Sequence, residues 1–235
     1  MAVRSNAGSL ALPSGIKGRG EYVRLVFEEA GVPYTDVGVT GGMVSIIDFC
    51  WKGGNTGFPV RAPPAIRRGD FVLCGTPVVQ AYLGREFGLM PADPRAAAHV
   101  EQVLAVVTDG VAEGRLAFHP KDFYASHKTQ VEESKPYVKQ YGEQRLPKYM
   151  QHWEDILRKN EADGEQGFLI GNSLTVADLA VYHYMAAAQQ HYRAYFDAVE
   201  APLAKAHQAR IAARPRIAAY LSSGRCQPWD TDSMM

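Results

Sequence analysis

Pro91-Ala92-Asp93-Pro94 divides the chain into two stretches whose apolar residues repeat in different ways. Proline lacks an N–H and disfavours a helical residue before it, so two prolines within four residues stop any regular element. Before this punctuation, short apolar runs of strand type alternate with runs of helical spacing. After it, the apolar repeats fall three and four residues apart. A mixed domain over residues 1–88 followed by an all-helical domain over 95–235 is therefore expected, and 235 residues are enough for two modest cores.

Within the first stretch, Leu10-Ala11-Leu12 reads as a short buried strand closed by Pro13-Ser14-Gly15. Val23, Val26 and Phe27 recur with helical spacing from about Gly18, and Gly31 is the residue a helix C-terminus prefers. Tyr34 to Val39 alternates as a second strand, whereas the glycine-rich residues 40–61 give no assignable pattern. Ala62 to Ile66, interrupted by Pro63-Pro64, and Phe71-Val72-Leu73 read as strands flanking the turn Arg67-Arg68-Gly69-Asp70. Pro77 to Phe87 returns to helical spacing. The predicted order is β-α-β, an unassigned segment, then β-β-α.

The second stretch carries apolar stripes at Val100, Val103, Leu104, Val107 and Val111, and at Leu146, Tyr149, Met150, Trp153, Ile156 and Leu157. Its sharpest local signal is Thr175-Val176-Ala177-Asp178. A threonine hydroxyl accepts from the first amides of a new helix while the acid reaches back to the threonine N–H, satisfying two orphan donors at once. Leu174 and Leu179 occupy the flanking positions of a hydrophobic staple. A last helical run, Ile211 to Leu221, is broken near Pro215.

Lys+Arg and Asp+Glu number 25 each, so no net field draws the chain to nucleic acid or to an anionic membrane. No run approaches the ~20 apolar residues of a membrane-spanning helix, and no leader peptide is evident. Cys50, Cys74 and Cys226 are odd in number and irregularly spaced, which argues against a disulfide framework or zinc site and fits a reducing cytoplasm. The seven histidines show no metal-ligand spacing; His183 and His191 share a helical face at most.

The order of elements, with Gly18-Arg19-Gly20-Glu21 opening the first helix, Pro64 at the third strand, Gly75-Thr76 opening the third helix, Asp109 in the fourth, the box at Thr175 and the late run Arg214 to Leu221, resembles the cytosolic glutathione transferases, most closely their mu, pi and sigma-like branch. The resemblance runs from about Leu10 to Trp229. It implies a thioredoxin-like N-terminal domain that binds glutathione as co-substrate and a helical domain lining a pocket for a hydrophobic electrophile. It further implies a homodimer, and chemistry in which the glutathione thiol is ionised for attack, since the thiolate is the reactive form.

Site residues follow from the same resemblance. Arg19, at the start of the first helix, would stabilise a thiolate with a charge that cannot be lost. The position matching the usual tyrosine is Pro13 or Leu12, neither of which can donate; Ser14 is the hydroxyl placed to substitute and is equally good turn chemistry. Ala62, Pro63 and Pro64 match the backbone that pairs with the cysteinyl unit, although Pro63 has no N–H to give. Gly75 and Thr76 match the γ-glutamyl contacts, with Thr76 expected to cap the third helix and Pro77 to take its first position. Trp51 and Lys52 are candidates for the glycyl carboxylate, and Asp109 for the ligand's amino group across a dimer. Phe118, His119, Phe123 and Tyr124 are candidates for the electrophile pocket. Conjugation to an electrophile is the leading expectation. The same thiolate would also serve peroxide reduction or isomerisation, and a non-catalytic glutathione- or ligand-binding protein is the alternative favoured by Pro63, Gly75 and the missing tyrosine.

Overall fold

A computed structural model describes residues 8–11, 16–165 and 167–229. They form two compact units. The first takes the described residues up to Leu89 together with Pro215–Pro228; the second takes Met90–Arg214 with Trp229. Residues 215–228 thus cluster with the N-terminal unit, whereas the sequence expectation had set them within a helical domain over 95–235.

The first unit is built from β1 (Gly8–Ala11), α1 (Glu21–Ala30), β2 (Tyr34–Asp36), α2 (Val37–Trp51), β3 (Ala65–Arg68), β4 (Phe71–Cys74) and α3 (Thr76–Phe87). The strands form one sheet in the order β2-β1-β3-β4, with β1 parallel to β2 and antiparallel to β3, and β3 antiparallel to β4. This is the thioredoxin-like arrangement. Val23, Leu25, Val26, Ile46, Ala65, Val79 and Leu83 are buried in it.

Two elements depart from the sequence expectation. Strand β2 stops at Asp36, and Val37–Val39 begin a helix instead, because the Asp36 carboxylate accepts from the amides of Gly38 (3.0 Å) and Val39 (3.2 Å). The glycine-rich segment is mostly this helix, α2. Its glycines hid it, and Gly42 does interrupt it, at φ 68° and ψ −172°, a conformation that glycine reaches without strain. Beyond the interruption, Ile46 and Cys50 bury one face four residues apart.

The second unit contains α4 (Pro94–Phe118), a 3-10 turn at His127–Thr129, α5 (Val131–Gln140), a π-turn at Tyr141–Arg145, α6 (Leu146–Ala162), α7 (Val176–His191), α8 (Arg193–Ala198) and α9 (Pro202–Ala212); α10 (Pro215–Leu221) belongs to the first unit. Both predicted stripes are buried, apart from the half-exposed Ile156. Helices α4 and α7 approach closely at Gly110, where a Cβ would come 2.8 Å from the Tyr184 ring. At the start of α7 the box forms: Thr175 accepts from the Ala177 N–H at 3.2 Å, and Asp178 accepts from the Thr175 N–H at 2.7 Å. Among the described residues, no helix is long and apolar enough to cross a membrane.

Candidate functional site

Strand register decides which residues of the first unit meet. Ala11 pairs with Ala65 and Ala65 with Cys74, in antiparallel sense, while Leu10 pairs with Asp36 in parallel. The chain leaving β1, the chain leaving β2, the chain entering β3 and the chain leaving β4 therefore emerge at the same end of the sheet. That end carries the turn into α1, the first turn of α2, Pro64, and Gly75 with the N-terminus of α3. Three helix N-termini face one edge, where their dipoles favour anions; the α2 start is already capped by Asp36, whereas Gly75 gives the α3 start no side-chain cap.

Ser14, like Leu12, Pro13 and Gly15, lies outside the described residues. Arg19 sits half-buried in the turn 18–20, two residues ahead of α1. The helix starts later than its sequence suggests because Gly18, at φ +49°, turns the backbone away from helical geometry; the Glu21 N–H then closes back on Lys17 O and Gly18 O. Pro64 is buried and the Pro63–Pro64 bond is cis, while Ala62 and Pro63 are half-buried just ahead of it. Trp51 exposes its ring and donates from Nε1 to the Arg61 carbonyl at 3.0 Å, which ties the end of α2 to the segment leading into Ala62. Lys52 follows it, exposed.

Thr76 corrects one expectation. The N-cap of α3 is Gly75, at φ +94°, without a side-chain cap; Thr76 is the first helical residue and Pro77 the second. Gly75 adopts a backbone that strongly disfavours a side chain, and Thr76, inside the helix, is 8% exposed. The first amides of α3 therefore receive no side-chain cap from Gly75.

The remaining candidates belong to the helical unit, where they occupy different environments. Asp109 is exposed on α4, beside the buried Gly110. Phe118 is buried among the rings of His127, His191 and Tyr192, at centroid distances of 5.0, 6.2 and 5.3 Å. His119 is buried as well and donates from Nδ1 to the Ala125 carbonyl at 2.9 Å. Phe123 and Tyr124 are exposed, with the Arg115 guanidinium 4.2 Å from the Phe123 ring centre. Their loop is held by the buried Gln130, which accepts from the amides of Lys121 and Asp122 and donates to the carbonyls of Asp122 and Ala125. His183 and His191 flank the Trp229 ring, the former stacked on it at 5.3 Å. No group of three or more His, Cys, Asp or Glu residues able to hold a metal ion occurs among the described residues.

A charged cluster next to the α1 turn escaped the sequence reading. Arg24, 1% exposed, donates from Nε to Asp36 Oδ2 (2.8 Å) and from Nη1 to Glu21 Oε2 (3.2 Å) and the Lys17 carbonyl (3.1 Å). Tyr220 donates to the same Glu21 oxygen at 3.0 Å. Burial lowers the affinity of Arg24 for its proton, but Asp36 and Glu21 outweigh burial and hold it above the usual guanidinium range. Burial pushes Glu21 up, against the pull of Arg24, Lys17 and Tyr220. The available signal was Glu21 and Arg24 three apart on a helix whose apolar stripe runs between them; Tyr220 gave none.

Residues 119–224 match the family profile described as "Glutathione S-transferase, C-terminal domain". The chain is 24% identical over 211 residues to a glutathione S-transferase of Plasmodium falciparum, covering 88% of this chain and 92% of that one. It is 29% identical over 213 residues to glutathione S-transferase P 1 of Xenopus laevis, covering 88% and 89%. A crystal structure of a monomeric glutathione S-transferase from the hookworm Necator americanus superposes with a TM-score of 0.66 at 20% identity, over 92% of this chain and 96% of that one. The thioredoxin-like sheet, the helical unit with its Thr175–Asp178 box and these similarities along most of the chain support its membership of the cytosolic glutathione transferase family.

Proposed function

We propose that the chain binds glutathione at the end of the sheet where Pro64, Gly75 and Thr76 meet, and conjugates its thiolate to hydrophobic electrophiles. The carrying observation is the register itself, which brings the entry to β3, the exit from β4 and the C-terminal end of β1 to one edge. There the α3 amides and Thr76 would take the γ-glutamyl carboxylate, and the backbone of Ala62 to Pro64 the cysteinyl unit. Trp51 and Lys52 would contact the glycyl end. Arg19, with Ser14, would stabilise the thiolate; among the described residues Arg19 makes no hydrogen bond or ion pair. Phe118, His119, Phe123 and Tyr124 would receive the electrophile. Asp109, exposed on α4, would meet the ligand of a partner copy in a homodimer, which light scattering on the eluted protein tests directly. A reducing cytoplasm, with abundant glutathione, is the compartment this chemistry suits.

Calorimetric titration with glutathione, followed by a conjugation assay with an aryl halide, tests the reading. Uptake with turnover is expected, and absence of uptake by folded protein would sink it. Arg19→Ala is expected to raise the thiol pKa of bound glutathione in an ultraviolet titration. It should lower kcat/KM about 100- to 1,000-fold, the range for removing one electrostatic stabiliser, without moving the thermal midpoint. An unchanged titration would remove Arg19 from the mechanism.

A non-catalytic glutathione-binding protein is the second reading. It is favoured by Pro63, which has no N–H for the cysteinyl unit, and by Gly75, which has no side chain for the γ-glutamyl end. Binding without turnover in the same pair of measurements would select it.

A further inference from the structure

Lys17 and Cys226 are 209 positions apart in sequence, yet the Lys17 Nζ donates to the Cys226 Sγ at 3.2 Å. The contact is built rather than incidental. Lys17 is only 9% exposed, and its backbone N–H is fixed on the Pro228 carbonyl at 2.9 Å, so main chain and side chain grip the same segment. Glu21 Oε1 lies 4.0 Å from the same sulfur, and Glu21 is itself held by Arg24 and Tyr220. Cys226 keeps part of its surface in solvent, whereas Cys50 is buried in an apolar set with Ile46 and Ala65.

We propose that Lys17 and Cys226 form an oxidative modification site, at which hydrogen peroxide closes a covalent bond between Nζ and Sγ. In the first step the Cys226 thiolate attacks one peroxide oxygen. The O–O bond breaks, hydroxide leaves and takes up the proton the thiol lost on ionising, giving the first water, and the sulfur becomes a sulfenic acid, two electrons more oxidised. In the second, the neutral Lys17 amine attacks that sulfur and the S–O bond breaks. The departing hydroxide takes the surplus amine proton and leaves as a second water. One peroxide is reduced to two waters, and the protein loses two hydrogens. Sulfenic acids condense with nitrogen in this way when one is held alongside, and the structure holds one there.

The groups facing the sulfur are Glu21, Lys17, Arg24 and Tyr220. Burial and the Glu21 carboxylate raise the thiol above its ordinary range, with Lys17 and Arg24 pulling the other way. The reaction is therefore slow at neutral pH and faster in mild alkali, where the thiolate accumulates. Its product fastens the segment after α10 to the turn that carries Arg19. Glutathione is not required.

The test is peroxide treatment of the full chain at neutral and mildly alkaline pH, blocking of remaining thiols, intact mass measurement and non-reducing peptide mapping. The expected product is lighter by two hydrogens and yields one peptide in which Lys17 and Cys226 are joined, more abundant in alkali and released by dithiothreitol. It persists in Cys50→Ser/Cys74→Ser protein and disappears in Lys17→Arg, with circular dichroism showing that both fold. Recovery of Cys226 from the wild-type chain only as unlinked sulfinic or sulfonic acid would overturn the proposal whatever the variants do. So would a two-hydrogen loss that survives Lys17→Arg.

Discussion

Each unit of the molecule buries a polar cluster, and the two clusters are made differently. In the helical unit, Asp178 is fully buried and surrounded by donors: the amides of Leu169 (2.8 Å) and Thr175 (2.7 Å), the Thr175 hydroxyl (2.9 Å) and His207 Nε2 (2.9 Å). One acceptor satisfies a helix start, the loop before it and a neighbouring helix. In the thioredoxin-like unit the centre is a donor, Arg24, set between two acids and two carbonyls. The first cluster draws half of its donors from backbone amides, whose positions do not depend on a side chain. The second relies on formal charges brought from α1 and β2, so each depends on its partner to offset desolvation. A buried charge surrounded by charges is more exposed to single substitutions than one held in part by amides.

Removing the centre of each cluster tests that contrast. Arg24→Met strands Glu21 and Asp36 in the interior and is expected to cost about 3–5 kcal/mol of unfolding free energy in a urea titration. Asp178→Asn keeps the shape but turns an acceptor into a donor facing other donors. A loss of about 2–3 kcal/mol is expected, smaller than for Arg24 because the backbone scaffold persists. If Asp178→Asn proves the costlier, the contrast fails. The control is a charged pair at the surface, Arg145 with Glu113, at 2.6 and 2.7 Å. The Arg145 hydrogen bond holds the Glu113 carboxyl below its ordinary range. Its stabilisation is therefore present above the unfolded carboxylate value and is lost as pH falls through the lower folded value. Glu113→Gln is expected to cost only about 0.3–0.5 kcal/mol near neutrality, since both groups are half-exposed. Wild type and variant should converge in acid; a gap that widens there would contradict the assignment.

The same contrast explains what could be read from the sequence. Thr175 and Asp178 are three residues apart, and their pairing is a local event that the four letters announce. The Pro64, Gly75 and Thr76 positions were legible through their place in an ordered series of elements. The contact of Tyr220 with Glu21 spans 199 positions and leaves no local trace. Helix α2 was missed because Gly38, Gly41 and Gly42 mask its periodicity, while the cap that starts it, Asp36, looks like the end of a strand. Helices α5, α8 and α9 went unread because their polar and small residues produce no broad apolar stripe. That Thr76 lies inside α3 rather than capping it depends on the backbone angle of Gly75, which composition alone does not give.

Asp36 uses one carboxylate oxygen to start α2 and the other to grip Arg24. A residue serving two masters cannot drift alone. Shortening it to remove the grip would also unseat the helix, and replacing Arg24 would leave a cap burdened with an unmatched charge. Engineers seeking to redesign this corner should therefore vary positions 24 and 36 jointly, and screen such libraries as pairs.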